Sequence, residues 1–425
     1  MRDGIDQLPI ERALHKLLDR RRANSTLRTL TISTQQCDFS SNDFLSLSKS
    51  ELLRTAFLDE LSNCRLLGSG GSRLLDGNSQ YAEDLEHDIA LFHRAPSGLL
   101  FNSGFDANAG FYACVPQPGD IIVYDELIHA SVHDGMRLSR ATKRVPFSHN
   151  SVDDLRRVLE ECLRKSQSLR DGRSHVMIAV EAVYSMDGDL APLKAIVETV
   201  EDVVPRDCGY VIVDEAHSTG VIGPDGRGLV CELNLEDRIF ARLHTFGKAL
   251  ACNGAIILCS PLLRHYLVNY ARPLIYTTFM SYPTLAAIRA SYSLLQDGHT
   301  NALAACLQFL VKTLFKELRS VNSPSFLALL QVPSDCPRSP IFSIQTAQSK
   351  SLARFLQDKG IVVRAVVPPT VPEGTSRVRV CLHAGNTKEE IEDLVSKMKM
   401  WTLLQALSET RPGIEEQHAA AKARL

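Results

Sequence analysis

Short apolar runs, often rich in β-branched residues, alternate along this chain with longer segments whose apolar positions recur at helical spacing. Each run is short for a helix and ends in polar or small residues, which is typical of buried strands in a parallel sheet. The clearest runs lie at residues 100–101, 119–125, 176–184 and 210–213. Residues 39–45 are predicted to form a strand that leads into a turn. Because helical patterns intervene, the chain is predicted to form a doubly wound α/β fold, with a mainly parallel central sheet and helices on both faces.

The same pattern predicts how the chain is divided. Residues 5–24 place apolar side chains at helical spacing beside a basic face, which indicates an amphipathic N-terminal arm. A polar stretch at residues 296–299 indicates a boundary before a smaller α+β C-terminal domain. We therefore expect an N-terminal arm and helix at 1–50, a large domain at 51–296, a small domain at 297–402 and a tail at 403–425.

Composition narrows the class of protein. The 425 residues include 47 basic and 49 acidic side chains, so charge gives no reason to expect nucleic acid or an anionic membrane as a partner. No apolar run approaches the length that spans a bilayer, and the N-terminus lacks a signal-like apolar segment, so no membrane insertion is expected. The 11 cysteines are scattered without a C-x-x-C pair, which predicts reduced core thiols in an intracellular protein.

The candidate chemistry begins at Asp214, directly after the apolar run at 210–213. Open α/β sheets bind ligands at the carboxyl edge of their strands, and a carboxylate buried there needs a cation to offset its desolvation. A protonated pyridine nitrogen would serve. Lys248 follows Gly247 on a later turn, and lysine is the residue that forms a Schiff base with an aldehyde. Aspartate and lysine are the pair that a pyridoxal 5'-phosphate (PLP) enzyme requires.

Other interpretations of these residues exist. The string Asp-Glu-Ala-His at 214–217 also matches a helicase-type Walker B motif, but that assignment needs an upstream G-x-x-x-x-G-K-[ST] loop, which this sequence lacks. An aspartate at a strand end is more often a helix cap, and a lone lysine is usually solvated. His129 and His133 would share a helix face, yet no third ligand lies nearby in the sequence, so no metal site is expected.

Small residues mark two further segments. The loop Gly-Ser-Gly-Gly-Ser-Arg at 68–73 is short and precedes a helical pattern, which favours a structured active-site loop over a flexible linker. At 101–108 a strand breaks into a helix start, which puts free backbone N–H groups and Ser103 at a helix N-terminus. Because helix N-termini bind anions, this segment is the candidate phosphate site.

Taken jointly, the motifs indicate a family. The chain contains, in order, the glycine loop at 68–73, Ser-Gly-Phe-Asp-Ala-Asn at 103–108, His-Ala-Ser at 129–131, Tyr-Ser-Met-Asp-Gly-Asp at 184–189, Asp-Glu-Ala-His at 214–217 and Thr-Phe-Gly-Lys at 245–248. This set resembles the α-oxoamine synthase family of fold-type I PLP enzymes, over about residues 10–400. The resemblance implies PLP as the cofactor and a homodimer with shared active sites.

The resemblance also implies a role for each matching residue. Lys248 would bind PLP covalently, Asp214 would pair with its pyridine nitrogen, and His129 would stack on its ring. His217 and Ser185 would hydrogen-bond the phenolic oxygen. The phosphate would be held by five residues, the last of them from the second subunit: Ser103, Gly104, Phe105, Thr245 and Thr278. The catalytic residues would be Lys248, His129, Asp214 and His217.

Substrate binding is implied for Arg28, Asn42 and Arg379. Alternation along a predicted strand puts Arg377 on the same face as Arg379, so a substrate clamp and a solvated edge-strand charge both remain open for these arginines. Three departures from the family pattern put the acyl and thioester contacts in doubt. Val367 stands where many members have arginine, residues 44–46 read Phe-Leu-Ser instead of Tyr-Leu-Gly, and residues 78–79 read Asn-Ser instead of Thr-His.

The implied activity is a decarboxylative Claisen condensation of L-alanine with an acyl thioester. Around residues 185–193 and 274–278 the chain most resembles the family members that make 8-amino-7-oxononanoate, so pimeloyl-CoA is the expected acyl donor. The products would be 8-amino-7-oxononanoate, CO2 and CoA, in biotin biosynthesis. The alternatives are an α-oxoamine synthase of another pathway that uses a different thioester or amino acid, an aminotransferase, and an inactive partner subunit. The last of these would lack Lys248.

The final residues, Ala423-Arg424-Leu425, resemble the peroxisomal address Ser-Lys-Leu, because they combine a small residue, a cation and a terminal leucine. The tail before them, residues 411–420, is polar and lies beyond the last predicted helix, so a peroxisomal import receptor could reach it. We therefore expect a peroxisomal matrix enzyme, with the cytoplasm as the alternative.

Overall fold

The computed structural model describes residues 8–24, 26–30, 32, 37–205 and 207–410. The chain divides into two compact units, residues 1–36 and residues 37–425. The strands are β1 (Cys37–Asp38), β2 (Ser97–Phe101), β3 (Ile121–Asp125), β4 (Lys143–Phe147), β5 (Val176–Glu181), β6 (Gly209–Asp214), β7 (Ala241–Thr245), β8 (Ala255–Cys259), β9 (Ile341–Gln345), β10 (Ile361–Val362), β11 (Arg364–Val366) and β12 (Arg377–Cys381). The helices are α1 (Pro9–Ala23), α2 (Glu51–Ser62), α3 (Gln80–Phe92), α4 (Gly104–Cys114), α5 (Ala130–Leu138), α6 (Val152–Lys165), α7 (Gln167–Arg170), α8 (Leu193–Val203), α9 (Leu229–Glu232), α10 (Pro261–Tyr270), α11 (Arg272–Ile275), α12 (Tyr282–Gln296), α13 (Asn301–Arg319), α14 (Pro324–Leu329), α15 (Ser349–Asp358) and α16 (Lys388–Thr410).

The N-terminal unit contains α1, where the sequence predicts an amphipathic helix. Pro9 occupies its first turn, where the missing N–H costs no hydrogen bond. The Glu11 side chain accepts a hydrogen bond from the Leu8 backbone N–H at 2.9 Å. Three arginines in the last turn, residues 20–22, complement the negative end of the helix dipole. These local signals explain why the helix begins and ends where it does.

The large sheet has seven strands in the order β2-β8-β7-β6-β5-β3-β4. From β7 to β4 neighbouring strands run parallel, whereas β8 is antiparallel to both of its neighbours. The prediction of a mainly parallel sheet is therefore confirmed. Its carboxyl edge carries the last residues of the parallel strands, including Asp125, Glu181, Asp214 and Thr245. Glu181 lies directly opposite Asp214 in the register of β5 and β6.

Strand β6 illustrates how both faces of this sheet are covered. Val211 and Val213 pack in an apolar cluster with residues of α6 and α8. Ile212, between them, packs in a second cluster with residues of α4 and α5. A strand buried on both faces needs apolar side chains at successive positions, which explains why the runs in the sequence are continuous rather than alternating. The predicted layers of helices on both faces are confirmed.

The C-terminal part of the chain forms a separate antiparallel sheet of three strands in the order β11-β12-β9. Helix α15 packs on β11 and β12, and α16 packs on α13 and α15. Strand β1 pairs in parallel with β10, so residues 37–38 join this part of the molecule. The three boundaries between the four segments proposed from the sequence stay predictions.

Two local predictions were wrong in part. The sequence predicts a strand that leads into a turn over residues 39–45. The turn is present and buries Phe39, Phe44 and Leu45, but the strand before it, β1, already ends at Asp38. The described cysteines are all free, yet Cys306 and Cys336 are exposed rather than in the core. None of the helices in the described ranges is long and apolar enough to cross a membrane.

Ser46 stands where the family pattern has glycine. Its φ of 56° lies in the left-handed region, where a β-carbon costs roughly 1–2 kcal/mol. The Ser46 hydroxyl compensates by accepting a hydrogen bond from the Gly385 backbone N–H at 2.8 Å. A β-carbon at Gly385 would lie 2.8 Å from that hydroxyl, so the close approach requires glycine there. This departure from the family pattern therefore preserves the local backbone.

Candidate active site

Two adjoining cavities lie at the carboxyl edge of the large sheet. The sheet cavity has a volume of about 250 Å³, and its lining includes Ser103, Gly104, Phe105, Asn108, Glu181, Asp214 and Thr245. The loop cavity has a volume of about 660 Å³, and its lining includes Tyr184, Ser185, Met186, Asp187, Pro369 and Arg379. Four residues line both cavities, so the two form one site: Asn42, His129, His217 and Lys248.

Asp214 ends β6 and is only 8% exposed. Its Oδ2 accepts a hydrogen bond from Asn108 Nδ2 at 2.8 Å, and its Oδ1 accepts one from the Ala216 backbone N–H at 2.9 Å. Asn108 also donates to Ser131 Oγ at 3.0 Å, which fixes the orientation of its amide. These neutral donors hold the carboxylate without cancelling its charge. The lining of the sheet cavity therefore carries a buried anion that can pair with a bound cation.

Lys248 lies on the turn between β7 and β8. Burial lowers the pKa of its ammonium group, although Asp214 and Glu181 oppose the effect; Arg379 adds to the lowering. A lowered pKa increases the neutral fraction of the amine, which is the form that acts as a nucleophile or a base. A β-carbon at Gly247 would lie 3.5 Å from the Cys252 carbonyl oxygen, so packing within the chain tolerates a side chain beside this lysine.

Two histidines flank the lysine. His129 is the N-cap of α5, and its Nδ1 lies 2.7 Å from Ser131 Oγ, which orients the ring. Burial lowers the pKa of His129; Asp214 opposes the shift and Lys248 adds to it. Burial also lowers the pKa of His217 far below its usual value, and the charge of Lys248 contributes. His217 Nδ1 is buried and has no hydrogen-bond partner among the described residues, so it can bond to a ligand in the cavity.

The first turn of α4 has the geometry expected of the candidate phosphate site, whose role stays a prediction. Ser103 is the N-cap, and its Oγ accepts a hydrogen bond from the Asp106 backbone N–H at 3.0 Å. A β-carbon at Gly104 would lie 2.5 Å from Thr245 Cγ2, so only glycine lets the helix start approach the end of β7. Phe105 follows and is 45% exposed. The sequence explains this geometry, because a capped helix N-terminus with a glycine presents its N–H groups to an anion.

Arg379 lies in the middle of β12, the central strand of the small sheet. Its Nε donates to the Ser185 carbonyl oxygen at 2.6 Å, and its Nη2 donates to Asn42 Oδ1 at 2.9 Å. These two acceptors aim the guanidinium into the loop cavity, which all three residues line. A fixed guanidinium beside the lysine can bind a carboxylate.

Three of the other predicted residues lie elsewhere. Arg377 is 2% exposed and forms an ion pair with the partly buried Asp187, so it binds the protein rather than a ligand. Thr278 does not line either cavity, and its carbonyl oxygen accepts a hydrogen bond from Asn102 Nδ2 at 2.8 Å. Arg28 belongs to the N-terminal unit. Substrate contact by Arg28 and a contribution of Thr278 to the second subunit stay predictions.

The structure adds residues that the sequence reasoning missed. Glu181 ends β5 beside Asp214, and burial together with the charge of Asp214 raises the pKa of the Glu181 carboxyl group far above its usual value. The rule that identified Asp214, an acid at the end of a buried strand, also applies to Glu181. Asn108 carried no such signal, because an asparagine inside a helix has many uses.

The glycine loop is structured, as the sequence predicts. The Gly71 carbonyl oxygen accepts a hydrogen bond from the Phe279 backbone N–H at 2.9 Å. Arg73, which ends the loop, forms a buried ion pair with Glu86 and donates from Nη2 to Asn78 Oδ1 at 2.7 Å. Asn78, a departure from the family pattern, therefore holds the loop in place.

The lining residues fit PLP on three observations. A buried carboxylate, Asp214, is available for the pyridinium, and a capped helix N-terminus at Ser103 is available for the phosphate. The unpartnered Nδ1 of His217 is available for a polar group on the ring. Lys248 would hold the aldehyde carbon. Among the described residues no group of three or more His, Cys, Asp or Glu side chains could hold a metal ion.

Comparison with known proteins agrees with this fit. Residues 34–398 match the aminotransferase class I and II family. An 8-amino-7-oxononanoate synthase of Emericella nidulans is 54% identical over 396 residues, covering 92% of this chain and 95% of that protein. The aminoacyl transferase sphA of Aspergillus fumigatus is 42% identical over 404 residues, covering 91% of this chain and 86% of that protein.

A solved structure shows the same fold. The serine palmitoyltransferase of S. paucimobilis with bound PLP superposes with a TM-score of 0.80 at 22% identity, covering 93% of this chain and 98% of that one. Likeness at this identity extends to the architecture alone. The family match and the 54% identical relative, however, assign the chain to a family. The chain belongs to the aminotransferase class I and II family and is a fold-type I, PLP-dependent acyltransferase similar to 8-amino-7-oxononanoate synthase.

Proposed function

We propose that this enzyme condenses L-alanine with pimeloyl-CoA and releases CO2 and CoA, giving 8-amino-7-oxononanoate for biotin biosynthesis. The observation that carries the proposal is the placement of Arg379 beside Lys248. The two residues line one cavity, and Ser185 and Asn42 aim the arginine into it. A carboxylate bound to Arg379 would bring the α-carbon of a small amino acid to the lysine amine.

The chain's own residues supply the proton transfers. PLP, when bound, provides the electron sink for a carbanion at the α-carbon. Asp214 contributes the negative charge that keeps the sink protonated. Lys248 Nζ, with its lowered pKa, takes the proton from the α-carbon and returns a proton there after CO2 has left. His129, at the junction of the two cavities, donates a hydrogen bond to the incoming thioester carbonyl.

Similarity supports pimeloyl-CoA as the acyl donor. The relative that is 54% identical bears the name of a synthase with this product, and the match covers nearly the whole of both chains. The sphA relative at 42% identity supports a second candidate, a different acyl thioester. Val367, which stands where many family members have arginine, follows β11 at the entrance to the segment that lines the loop cavity. A change of charge at this position is a physical reason to test both donors.

A substrate panel tests the proposal. The purified enzyme with PLP would be assayed with L-alanine, glycine or L-serine against pimeloyl-CoA, succinyl-CoA and palmitoyl-CoA, following CO2 and free thiol. We expect the highest kcat/KM for L-alanine with pimeloyl-CoA. A preference of tenfold or more for palmitoyl-CoA or another donor would replace the proposed substrate while leaving the reaction class unchanged. No CO2 with any pair would refute the reaction class.

Replacing Arg379 by lysine tests its role in binding the amino acid. The variant keeps the positive charge but loses the planar fork that binds a carboxylate through two hydrogen bonds. We expect the KM for L-alanine to rise roughly 10- to 100-fold, as the loss of one charge-assisted hydrogen bond predicts, with a smaller change in the KM for the thioester. Arg338→Lys, in a surface ion pair with Glu232, is the matched control. An unchanged KM for L-alanine would remove Arg379 from the site.

We also propose that the enzyme is a homodimer with shared active sites. Large apolar side chains are exposed on either side of the glycine loop and close to Thr278, namely Leu67 at 71%, Leu75 at 78% and Tyr276 at 71%. Burial of such a patch in a partner's surface would be favourable. The same surface would bring Thr278 of one chain towards the phosphate site of the other.

Localisation in the peroxisomal matrix is a further proposal, carried by Ala423-Arg424-Leu425, which lie outside the described residues. It requires Leu425 to bear the free C-terminal carboxylate. A fluorescent protein fused ahead of residues 414–425 should form puncta in a filamentous fungus, and deletion of Leu425 should disperse them. Diffuse fluorescence from the intact tail would exclude the import receptor as a partner.

A further inference from the structure

A histidine outside the two cavities connects the strand ends that surround them. His149 follows β4, and its side chain is 21% exposed. Its Nδ1 lies 2.9 Å from Asp125 Oδ1, at the end of β3, and its Nε2 lies 2.8 Å from Asp189 Oδ2. Each ring nitrogen thus faces a carboxylate oxygen that can only accept. This is the arrangement that suits a doubly protonated imidazole.

The surroundings favour the charged ring. Burial acts to lower the pKa of His149, but the hydrogen bonds to Asp125 and Asp189 outweigh it and raise this pKa to about 10. Tyr184 packs edge-on against the ring, with centroids 4.4 Å apart. Asn150 joins the same two carboxylates, donating from its backbone N–H to Asp125 at 2.8 Å and from Nδ2 to Asp189 at 2.6 Å. The imidazolium is therefore held between two anions in one geometry.

Asp189 belongs to the loop at residues 184–190, whose far end reaches the candidate active site. The loop is closed by a hydrogen bond from the Tyr184 backbone N–H to the Asp189 carbonyl oxygen at 3.0 Å. Its Ser185 carbonyl oxygen accepts the hydrogen bond from Arg379 Nε described above. The position of Arg379 thus depends on where this loop lies.

The tip of the loop is anchored on the small sheet. Asp187 pairs with the buried Arg377 of β12. Gly188 has a φ of 77°, and a β-carbon there would lie 2.3 Å from the Ile341 carbonyl oxygen, so the backbones are in close contact. Ser339 Oγ donates to the Gly188 carbonyl oxygen at 2.5 Å. The contact of His149 with Asp189 is the corresponding anchor on the large sheet, so the loop is held from both sides.

We propose that His149 is a positioning residue for the amino-acid substrate: by holding Asp189 it sets the loop at 184–190, whose Ser185 carbonyl aims Arg379 at the substrate carboxylate. The inference rests on the proposed role of Arg379 and adds a residue that touches neither substrate nor cofactor. Loss of the His149 side chain would release Asp189, so the loop at 184–190 and Arg379 could move. The residues that line the sheet cavity would keep their places.

The test separates amino-acid binding from the rest of the reaction. L-alanine would be titrated into the PLP-loaded enzyme without any thioester, following the visible absorbance of the bound cofactor. We expect His149→Gln to raise the Kd for L-alanine about tenfold, since one of two charge-assisted hydrogen bonds is lost, while the affinity for PLP changes less than about twofold. His175→Gln is the matched control, because His175 pairs with Asp120 at 3.1 Å near the opposite ends of the same strands, β3 and β5.

Two further measurements distinguish positioning from general destabilisation. If His149 acts through Arg379, the Kd of the double variant His149→Gln/Arg379→Lys should equal that of Arg379→Lys alone. Amide hydrogen exchange of the enzyme without PLP should be faster at residues 184–190 in His149→Gln but not in His175→Gln. If His149→Gln folds poorly, Asp189→Asn takes its place, because Asp189 is the more exposed residue of the pair. This variant should show the same faster exchange at residues 184–190.

Additive effects in the double variant, or a Kd and exchange rates equal to those of the parent, would overturn the inference. Loss of PLP affinity with an unchanged Kd for L-alanine would do the same, because it would place His149 in support of the cofactor. If the parent enzyme itself shows no response to L-alanine, glycine or L-serine, the proposed function fails as well. A response in the parent with no change in the variant refutes only the role of His149.

Discussion

Replacement of Lys248 by alanine is expected to abolish turnover, with kcat falling roughly 10³-fold or more, the scale of losing a positioned base that also holds the cofactor. The visible absorbance of PLP covalently held by lysine should disappear. The fold should survive, because Lys248 makes its contacts in the cavity and the turn around it is held by backbone bonds such as that from the Ala251 N–H to the Lys248 carbonyl oxygen.

The matched control is Lys194→Ala, a lysine on α8 whose side chain is 67% exposed. It should retain the rate and spectrum of the parent. Circular dichroism and melting temperature should be the same for all three proteins. Turnover in Lys248→Ala comparable to the parent would overturn the assignment of the lysine and, with it, the site.

Asp214→Asn should have the second largest effect, a loss of roughly 10²- to 10³-fold in kcat, because the electrostatic stabilisation of a developing charge is typically worth that much. Asparagine preserves size, and its carbonyl oxygen can still accept one of the two hydrogen bonds that Asp214 receives, from the Ala216 N–H or from the Asn108 amide. It lacks the negative charge that keeps the pyridine protonated, so the cofactor can bind without storing the electrons of the carbanion.

Asp207→Asn is the control for the same substitution near the other end of β6. Asp207 is exposed and has a φ of 63°, which asparagine also tolerates. The kcat of the Asp207→Asn variant should equal that of the parent enzyme. PLP binding together with full activity in Asp214→Asn would contradict the proposed role of the carboxylate.

The architecture was predictable because its signals are local. A strand buried on both faces reads as a continuous apolar run, as at 176–180 and 210–213, and a polar residue at its end marks the carboxyl edge. Asp214 and Ser103 therefore followed from position alone. At residues 39–45 the same rule predicted the turn but placed the strand too late in the sequence, because Phe39, Phe44 and Leu45 are buried by the turn itself and β1 ends at Asp38.

The contacts that aim the side chains were beyond the reach of sequence patterns. Arg379 and Ser185 are 194 positions apart, and their hydrogen bond depends on how the small sheet meets the loop after β5. Arg377 shares a strand face with Arg379, yet Arg377 forms an ion pair with Asp187. Periodicity predicts the strand face on which a residue lies but not the group that its side chain contacts. The role of His149 could therefore not be predicted, because it depends on contacts with two carboxylates that are distant in the sequence.

The most direct test of the account is an isotope balance with L-alanine labelled with ¹³C at its carboxyl group. The PLP-loaded enzyme would be incubated with this substrate and pimeloyl-CoA, and ¹³CO2, free CoA thiol and pyruvate would be measured together. Decarboxylative condensation predicts one ¹³CO2 for each thiol, dependence on both substrates, and no labelled pyruvate. Labelled pyruvate in an amount up to one per bound PLP, the only amino acceptor in the assay, without CO2 or thiol would show an aminotransferase and contradict the central claim.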